Sequence, residues 1–298
     1  MSVLVLGDII LDEYWKGNSR RLSPESPVAI TNIDHIHYKL GGAANVAEGL
    51  AALEVKTKLV GVTGDDEASL KLQELLTQKK IQHQIFKDPH RPTIRKVRVH
   101  SGTHYMARMD FEEAFTSESL QPFFETPIDE SCDYLVLSDY NKGSLSKPQN
   151  IINWAQKNST VKILVDPKKN FENYKGAWLI KPNKIEFQKY VGEFKTHREL
   201  EALAQACLQK NNFTYMLVTL GSEGMMLISL KDSFFVPSEN VSVFDVTGAG
   251  DTVMASLAGF LDKKMEISLA IKKASAAAAL AVSKLGTYCV SLQDLKSS

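Results

Sequence analysis

Apolar and polar positions along this chain follow two periods, and the places where one gives way to the other mark its elements. Val3-Leu-Val-Leu6 is an unbroken apolar run ending in Gly7-Asp8, the pattern of a parallel strand covered on both faces. Residues 9–40 alternate only weakly and carry Pro24 and Pro27. They predict strands lying outside the main sheet rather than the helix a simple βα repeat would place there. Residues 41–53 read as a helix, 58–62 as a strand, and 67–79 as an amphipathic helix with apolar residues at 68, 70, 72, 75 and 76. Alternation returns over 93–110, through Ile94, Val97, Val99, Tyr105, Ala107 and Met109, and predicts a second antiparallel excursion turning at Ser101-Gly-Thr.

Beyond that point strands and helices interchange. Strands are predicted at 134–137, 162–165, 178–180, 215–219, 224–229 and 233–236. Helices are predicted at 147–157, 183–190, 197–210, 250–262 and 266–283. This alternation implies an α/β fold, a doubly wound sheet with helices on both faces. The two early excursions, about 12–40 and 91–110, would pair as a small β-strand lid. With no repeat, low-complexity stretch or linker, residues 1–298 read as a single domain.

Composition narrows the function without naming it. The 44% apolar and 23% charged residues are ordinary for a globular chain, and 35 basic residues balance 35 acidic ones. Neither a nucleic acid nor a membrane surface is an expected partner. The most apolar helical stretch, 268–285, is broken by Lys272 and Lys273, and no basic segment precedes the first strand, so neither a membrane span nor a secretory leader is expected. Cys132, Cys207 and Cys289 lack metal-ligand spacing and read as buried thiols in a reducing cytoplasm.

The chemistry concentrates in Asp245-Val-Thr-Gly-Ala-Gly-Asp251, which follows an extended run over 240–244 and opens an apolar helix. Gly248 and Gly250 let a ligand approach the backbone, and the amides of 248–251 at a helix N-terminus form an anion site. A carboxylate among those amides suits a base that takes a proton from an attacking hydroxyl, as in phosphoryl transfer; a plain capped turn is the other reading. Gly41-Gly-Ala-Ala-Asn45 offers close backbone approach and a polar amide, or tight helix packing. Asp8, with Asp12 a helical turn further on, is placed to bind sugar hydroxyls or to hold an Asx-turn. Asp139 and Lys142 follow a buried strand and suit a hydroxyl and an anion, or a solvated turn. Lys168, in Asp166-Pro-Lys168, faces a phosphate or solvent. Asn183 and Glu186 share a helix face, where they suit water-mediated Mg²⁺, a capping box, or both. Thr219, Gly221 and Gly224 form either a hairpin turn or a nucleotide loop. No P-loop, dinucleotide fingerprint or nucleophile elbow is present.

Taken together, Gly41–Asn45, Asn183-x-x-Glu186, Thr219-x-Gly221-x-x-Gly224 and Asp245–Asp251 resemble, in order and spacing, the motifs of the ribokinase-like (PfkB) sugar kinases over nearly the whole chain. The resemblance implies ATP and Mg²⁺, with a monovalent cation as an optional third ligand, and a homodimer. It also implies Asp251 as catalytic base and Gly248, Ala249 and Gly250 as the anion hole. Asn183, Glu186, Thr219, Gly221, Gly224 and Thr247 would serve the nucleotide, and Asn183 and Glu186 the metal. Asp8, Asp12, Gly41, Gly42, Asn45, Arg108, Asp139 and Lys142 would serve the acceptor sugar. A narrower set, including Gly7-Asp8-x-x-Leu-Asp12-x-Tyr-Trp15, Leu137-Ser-Asp-Tyr-x-Lys-Gly143 and Lys284-Leu-Gly-Thr287, is similar to the heptose 7-phosphate kinase branch. An acceptor that already carries a phosphate needs fixed cations, and Arg21, Lys96, Arg98 and Arg108 are the candidates. The H-x-G-H motif of the nucleotidyltransferase joined to some members is absent, which leaves a stand-alone kinase or one domain of a larger protein.

Overall fold

The computed structural model describes residues 2–116, 119, 132–158, 160–168, 170–284 and 286–296. The expected Leu285 in Lys284-Leu-Gly-Thr287 lies outside them. Strand β1 (Ser2–Gly7) sits inside a nine-stranded sheet, parallel to β4 (Thr57–Gly64) on one side and β8 (Cys132–Ser138) on the other. Outward from β4 comes β5 (Gln82–Asp88). Outward from β8 come β9 (Lys162–Asp166), β10 (Leu179–Ile180) and β11 (Tyr215–Thr219), all parallel. Two antiparallel strands, β12 (Gly224–Ile228) and β13 (Ser233–Pro237), finish that edge.

The period-2 geometry of β1 shows why its sequence is continuously apolar. Val3 and Val5 enter one core with helices α1 (Ala43–Ala52), α2 (Glu67–Gln78), α6 (Ala249–Asp262) and α7 (Ile267–Val282). Leu4 and Leu6 enter the other, with α3 (Pro148–Asn158), α4 (Lys184–Val191) and α5 (His197–Asn211). Each face of the sheet thus buries its own apolar cluster.

The two early excursions form one four-stranded sheet in the order β3-β2-β6-β7. Its strands are β2 (Ile9–Leu22), β3 (Ala29–Gly42), β6 (Arg95–Ser101) and β7 (His104–Phe111). Only Asp8 separates β1 from β2. Cross-strand partners put Asp12, Lys39, Lys96 and Asp110 in one row and Tyr14, His37, Arg98 and Arg108 in the next. Because side chains alternate across a sheet, both rows share one polar face, and Ile36, Met109 and Phe111 lie on the other.

Several boundaries differ from the sequence reading. Gly41 and Gly42 end β3 rather than beginning a helix, since Gly42 takes a φ of +58° and its amide neighbour Ala43 bonds the Asp8 carbonyl at 2.9 Å. Asp12 lies on a strand, not a helical turn from Asp8. The 240–244 segment joins no sheet; its last residue, Phe244, donates its amide to the Val282 carbonyl. Strand β5 was not expected at all. Among the cysteines, Cys132 and Cys207 are buried but Cys289 is only partly so.

Candidate active site

The helix termini differ in how their first amides are satisfied. α2, α4, α5 and α7 start behind the side chains of Asp66, Asn183, Thr196 and Glu266, each accepting a first-turn amide. α1 and α6 start behind Gly42 and Gly248, with no side-chain cap. The Gly248 φ of +79° is open to glycine and strained for other residues. In α6 the Ala249 amide returns to the Val246 carbonyl at 3.2 Å, so it leaves the anion-binding set expected over 248–251. The Gly250 and Asp251 amides have no protein partner among the described residues, which leaves the N-terminal end of α6 open to a negative ligand.

Asp251 follows directly, 4% exposed. The Tyr140 hydroxyl donates to its Oδ1 at 2.6 Å and Asn45 Nδ2 donates to its Oδ2 at 2.8 Å. Burial pushes its carboxyl up to about 6; the Tyr140 and Asn45 hydrogen bonds and the Lys181 cation pull downward, and the Asp166 charge pushes up. The result is a buried carboxyl that changes charge near neutrality. Asn45, expected at the sugar, is thus committed to Asp251, and the Cys289 thiol donates to its Oδ1 at 3.8 Å.

Beneath the glycines lies a cation that sequence reasoning passed over. Lys181 is 3% exposed and pairs with Asp166 at 3.0 Å. A Cβ on Gly250 would stand 3.4 Å from the Lys181 ammonium, so the charge borders the anion site. Burial raises the Asp166 carboxyl, and Lys181 opposes that.

A cavity of about 810 Å³ connects this centre to the far expected motifs. Asn183, Thr219, Gly221 and Gly224 line it together with Val243, Val246, Ala249, Gly250 and Ala279. The 219–224 segment is both a hairpin turn between β11 and β12 and a wall of this cavity, so the two readings coexist. Thr247 is placed one residue before Gly248, its amide held by Asp245 Oδ1 at 2.9 Å. Asn183 and Glu186 form a full capping box: Asn183 Oδ1 accepts the Glu186 amide at 2.8 Å and Glu186 Oε2 accepts the Asn183 amide at 2.9 Å. Glu186 Oε1 accepts from Lys168. Each oxygen of Glu186 therefore already has one protein donor. Among the described residues no three His, Cys, Asp or Glu side chains cluster as a metal cage.

Asp8, 0% exposed, accepts the backbone amides of Tyr140, Lys142 and Ser144 at 2.8, 3.0 and 3.0 Å, so it shapes the loop after β8. Asp139 is buried too, accepting from the Asn141 amide at 2.6 Å and the Tyr174 hydroxyl at 2.7 Å. Asp12 lies at Gly41 and pairs with Arg98 at 2.6 Å. Arg108 is exposed and held by Asp110 at 2.7 Å, and Lys142 by Glu112 at 2.6 Å. Arg21 sits in an exposed stretch near the end of β2. Lys96 has no acid within ion-pairing distance among the described residues, and burial together with the Arg108 charge lowers its ammonium. Lys39, in the Lys96 row, reaches the Thr287 carbonyl at 2.7 Å, and Thr287 Cγ2 lies 3.1 Å from where a Gly248 Cβ would stand. The polar face of the four-stranded sheet therefore looks onto the α6 glycines.

This arrangement of an uncapped glycine helix start, a buried acid and an adjoining cavity meets a direct match: the model of the pfkB family carbohydrate kinases covers residues 2–294. The chain belongs to the pfkB family of carbohydrate kinases. It is therefore a phosphotransferase acting on a sugar. Within this pfkB protein's relatives, the bifunctional protein HldE of Photorhabdus laumondii is 40% identical over 99% of the chain, and that of Pseudomonas putida strain F1 is 41% identical over 99%. The chain spans 63% of the length of each. Phosphofructokinase-2 from Escherichia coli, solved with substrates and products, superposes with a TM-score of 0.81 over 100% of this chain and 97% of its own, at 20% identity. Ribokinase from Thermotoga maritima gives 0.79 over 100% and 98%, at 21%. These pfkB-like structures share the fold, a ribokinase-like α/β sheet with a β lid. Among the described residues no helix is long and apolar enough to cross a membrane.

Proposed function

We propose that this kinase transfers the γ-phosphoryl group of ATP to the anomeric hydroxyl of D-glycero-β-D-manno-heptose 7-phosphate, making the 1,7-bisphosphate for lipopolysaccharide core (ADP-heptose) synthesis. The observation that carries the reading is the 40% identity to the HldE proteins across 99% of the chain, which includes the heptose-kinase-like motifs around Asp12, Tyr140 and Thr287. The polar face of the lid supports it: Lys96, with Arg108 near by and no acid paired to it among the described residues, is a cation suited to the phosphate the acceptor already carries.

On this reading the 810 Å³ cavity takes the nucleotide, its phosphate tail directed to the Gly250 and Asp251 amides. Asp251 accepts the proton of the attacking hydroxyl. The two amides and Lys181 stabilise charge on the transferred group, at a site already organised before the reaction. Asp12 and Arg98 bound the acceptor, and Gly41 leaves room for the Asp12 carboxylate. Mg²⁺ would be held through water at Asn183 and Glu186, with the Asp166 carboxylate electrostatically coupled to Glu186. When bound, the ion supplies neutralisation of phosphate charge. An ATP-consuming step of this type belongs in the cytoplasm. A homodimer would cover the exposed Ile36, Met109 and Phe111 on the lid's outer face, and light scattering tests it.

The deciding experiment follows ADP release with heptose 7-phosphate, fructose 6-phosphate, ribose and adenosine as acceptors. The reading requires heptose 7-phosphate to have the highest kcat/KM by at least about 100-fold. Preference for another acceptor keeps the kinase and removes the heptose. Repeating the assay with K⁺ replaced by tetramethylammonium tests the monovalent cation.

A further inference from the structure

The clamp at Asp8 has a product. Three amides from the 140–144 loop converge on one buried carboxylate, and Asp139 holds the Asn141 amide from within the same loop. The loop is closed tightly at Gly143, φ +101°, where a Cβ would meet the Phe115 carbonyl oxygen at 2.0 Å. A loop fixed in this way presents one side chain to the reaction centre: the Tyr140 hydroxyl, 2.6 Å from Asp251 Oδ1. Asn45 reaches the other oxygen from α1. Two donors on separate elements fix both oxygens, so the carboxylate has no freedom to rotate about its own axis.

We infer that Tyr140 is the positioning residue of the catalytic base, its phenol holding Asp251 toward the acceptor hydroxyl. The inference rests on Asp251 being the proton acceptor proposed above. The groups acting on Asp251 are few: Tyr140 from the loop after β8, Asn45 from α1, Asp166 from the end of β9 and Lys181 from the segment after β10. Of these, only Tyr140 and Asn45 donate hydrogen bonds to it, and donation to a carboxylate favours its ionised form against the cost of burial. The phenol itself stays a donor at any working pH, because burial and the neighbouring Asp251 and Asp166 charges raise it well above its ordinary value. The Tyr140 ring also packs against the apolar cluster on that face of the sheet, so Tyr140→Phe removes the hydroxyl and keeps the packing.

The test is the pH dependence of kcat/KM for Tyr140→Phe and for a chain carrying 3-fluorotyrosine at position 140, with Asp251→Asn alongside. Loss of the donor is expected to move the acidic limb upward by about 0.5–1 pH unit. The stronger fluorinated donor is expected to move it downward. The KM for ATP should stay within about twofold of the parent, since the nucleotide meets a different wall. A purely structural role would lower kcat without moving the limb, and that outcome overturns the inference while leaving the base in place, provided Asp251→Asn is inactive. Sustained turnover in Asp251→Asn overturns both.

Discussion

Lys181, buried, and Asp166, partly buried, form an ion pair 3.0 Å apart against the backbone of Gly250. The Lys181 side chain is almost wholly enclosed, so the pair is a fixed charge beside the α6 glycines and not a mobile surface contact. Lys181→Met is expected to destabilise the protein by about 1–3 kcal/mol, because it leaves the partly exposed Asp166 carboxylate without its cation. Lys181→Met combined with Asp166→Asn should recover most of that loss while kcat stays low. Urea unfolding beside steady-state kinetics separates the two effects.

Asp251→Asn should lower kcat by about 10²–10⁴-fold with nucleotide affinity nearly kept. It should also stabilise the fold. The Asp251 carboxyl is raised to about 6, so the folded state binds its proton more tightly than the unfolded chain does. Stability from that proton is complete below the unfolded value and is lost as pH rises through about 6. At pH 8 the neutral Asn variant should therefore be more stable than the parent, by on the order of 1–3 kcal/mol, and the gain should vanish below about pH 4. Thermal melts at the two pH values check the sign.

Activity should follow the same group in the opposite sense. The base works only when ionised, so kcat/KM is expected to hold above about pH 6 and to fall with unit slope below it. A flat profile between pH 5 and 8 would remove Asp251 from the proton transfer.

Lys96→Ala is expected to raise the KM of a phosphorylated acceptor by at least about tenfold, leaving the KM for ATP unchanged. Arg108→Ala should do less, since Asp110 already holds that guanidinium. Equal effects on acceptor and ATP would reassign Lys96 to the architecture of the lid.

Gly248→Ala should be strained twice over. Its φ of +79° disfavours a side chain, and the new Cβ would stand 3.0 Å from Asn45 Nδ2 and 3.1 Å from Thr287 Cγ2. A stability loss of about 1–2 kcal/mol is expected from the backbone, with a further drop in kcat as Asn45 is pushed from Asp251. Calorimetry and kinetics on one preparation read both.

Periodicity served well wherever an element is covered on one or both faces. The apolar run of β1 and the stripe of α2 each state their surroundings directly. β5 escaped because it is the edge of the sheet: Gln82, His83 and Gln84 meet solvent enough to carry polar side chains, which hides the strand pattern. The glycine motifs located the uncapped start of α6 because backbone requirements are local. The roles of the acids were not local. Whether Asp8 binds a sugar or a turn is decided by amides more than 130 positions away, and Tyr140 meets Asp251 across 111 positions. Lys181 stood beside a recognised motif, but nothing in its neighbours foretold burial against Gly250. Family resemblance supplied the reaction, and tertiary contacts added protein partners to Asp8, Asp139 and Asn45 that their local sequence did not show.

The junction between the two sheets sets a rule for anyone exchanging parts among these enzymes. One residue joins β1 to β2, and its side chain is bolted to the segment that carries Tyr140. Its carbonyl also receives the first amide of α1, just past the end of β3. A lid transplanted from a relative cannot be cut cleanly at that seam. Unless position 8 and the 140–144 segment travel with it, the graft would change acceptor preference and disturb proton removal together.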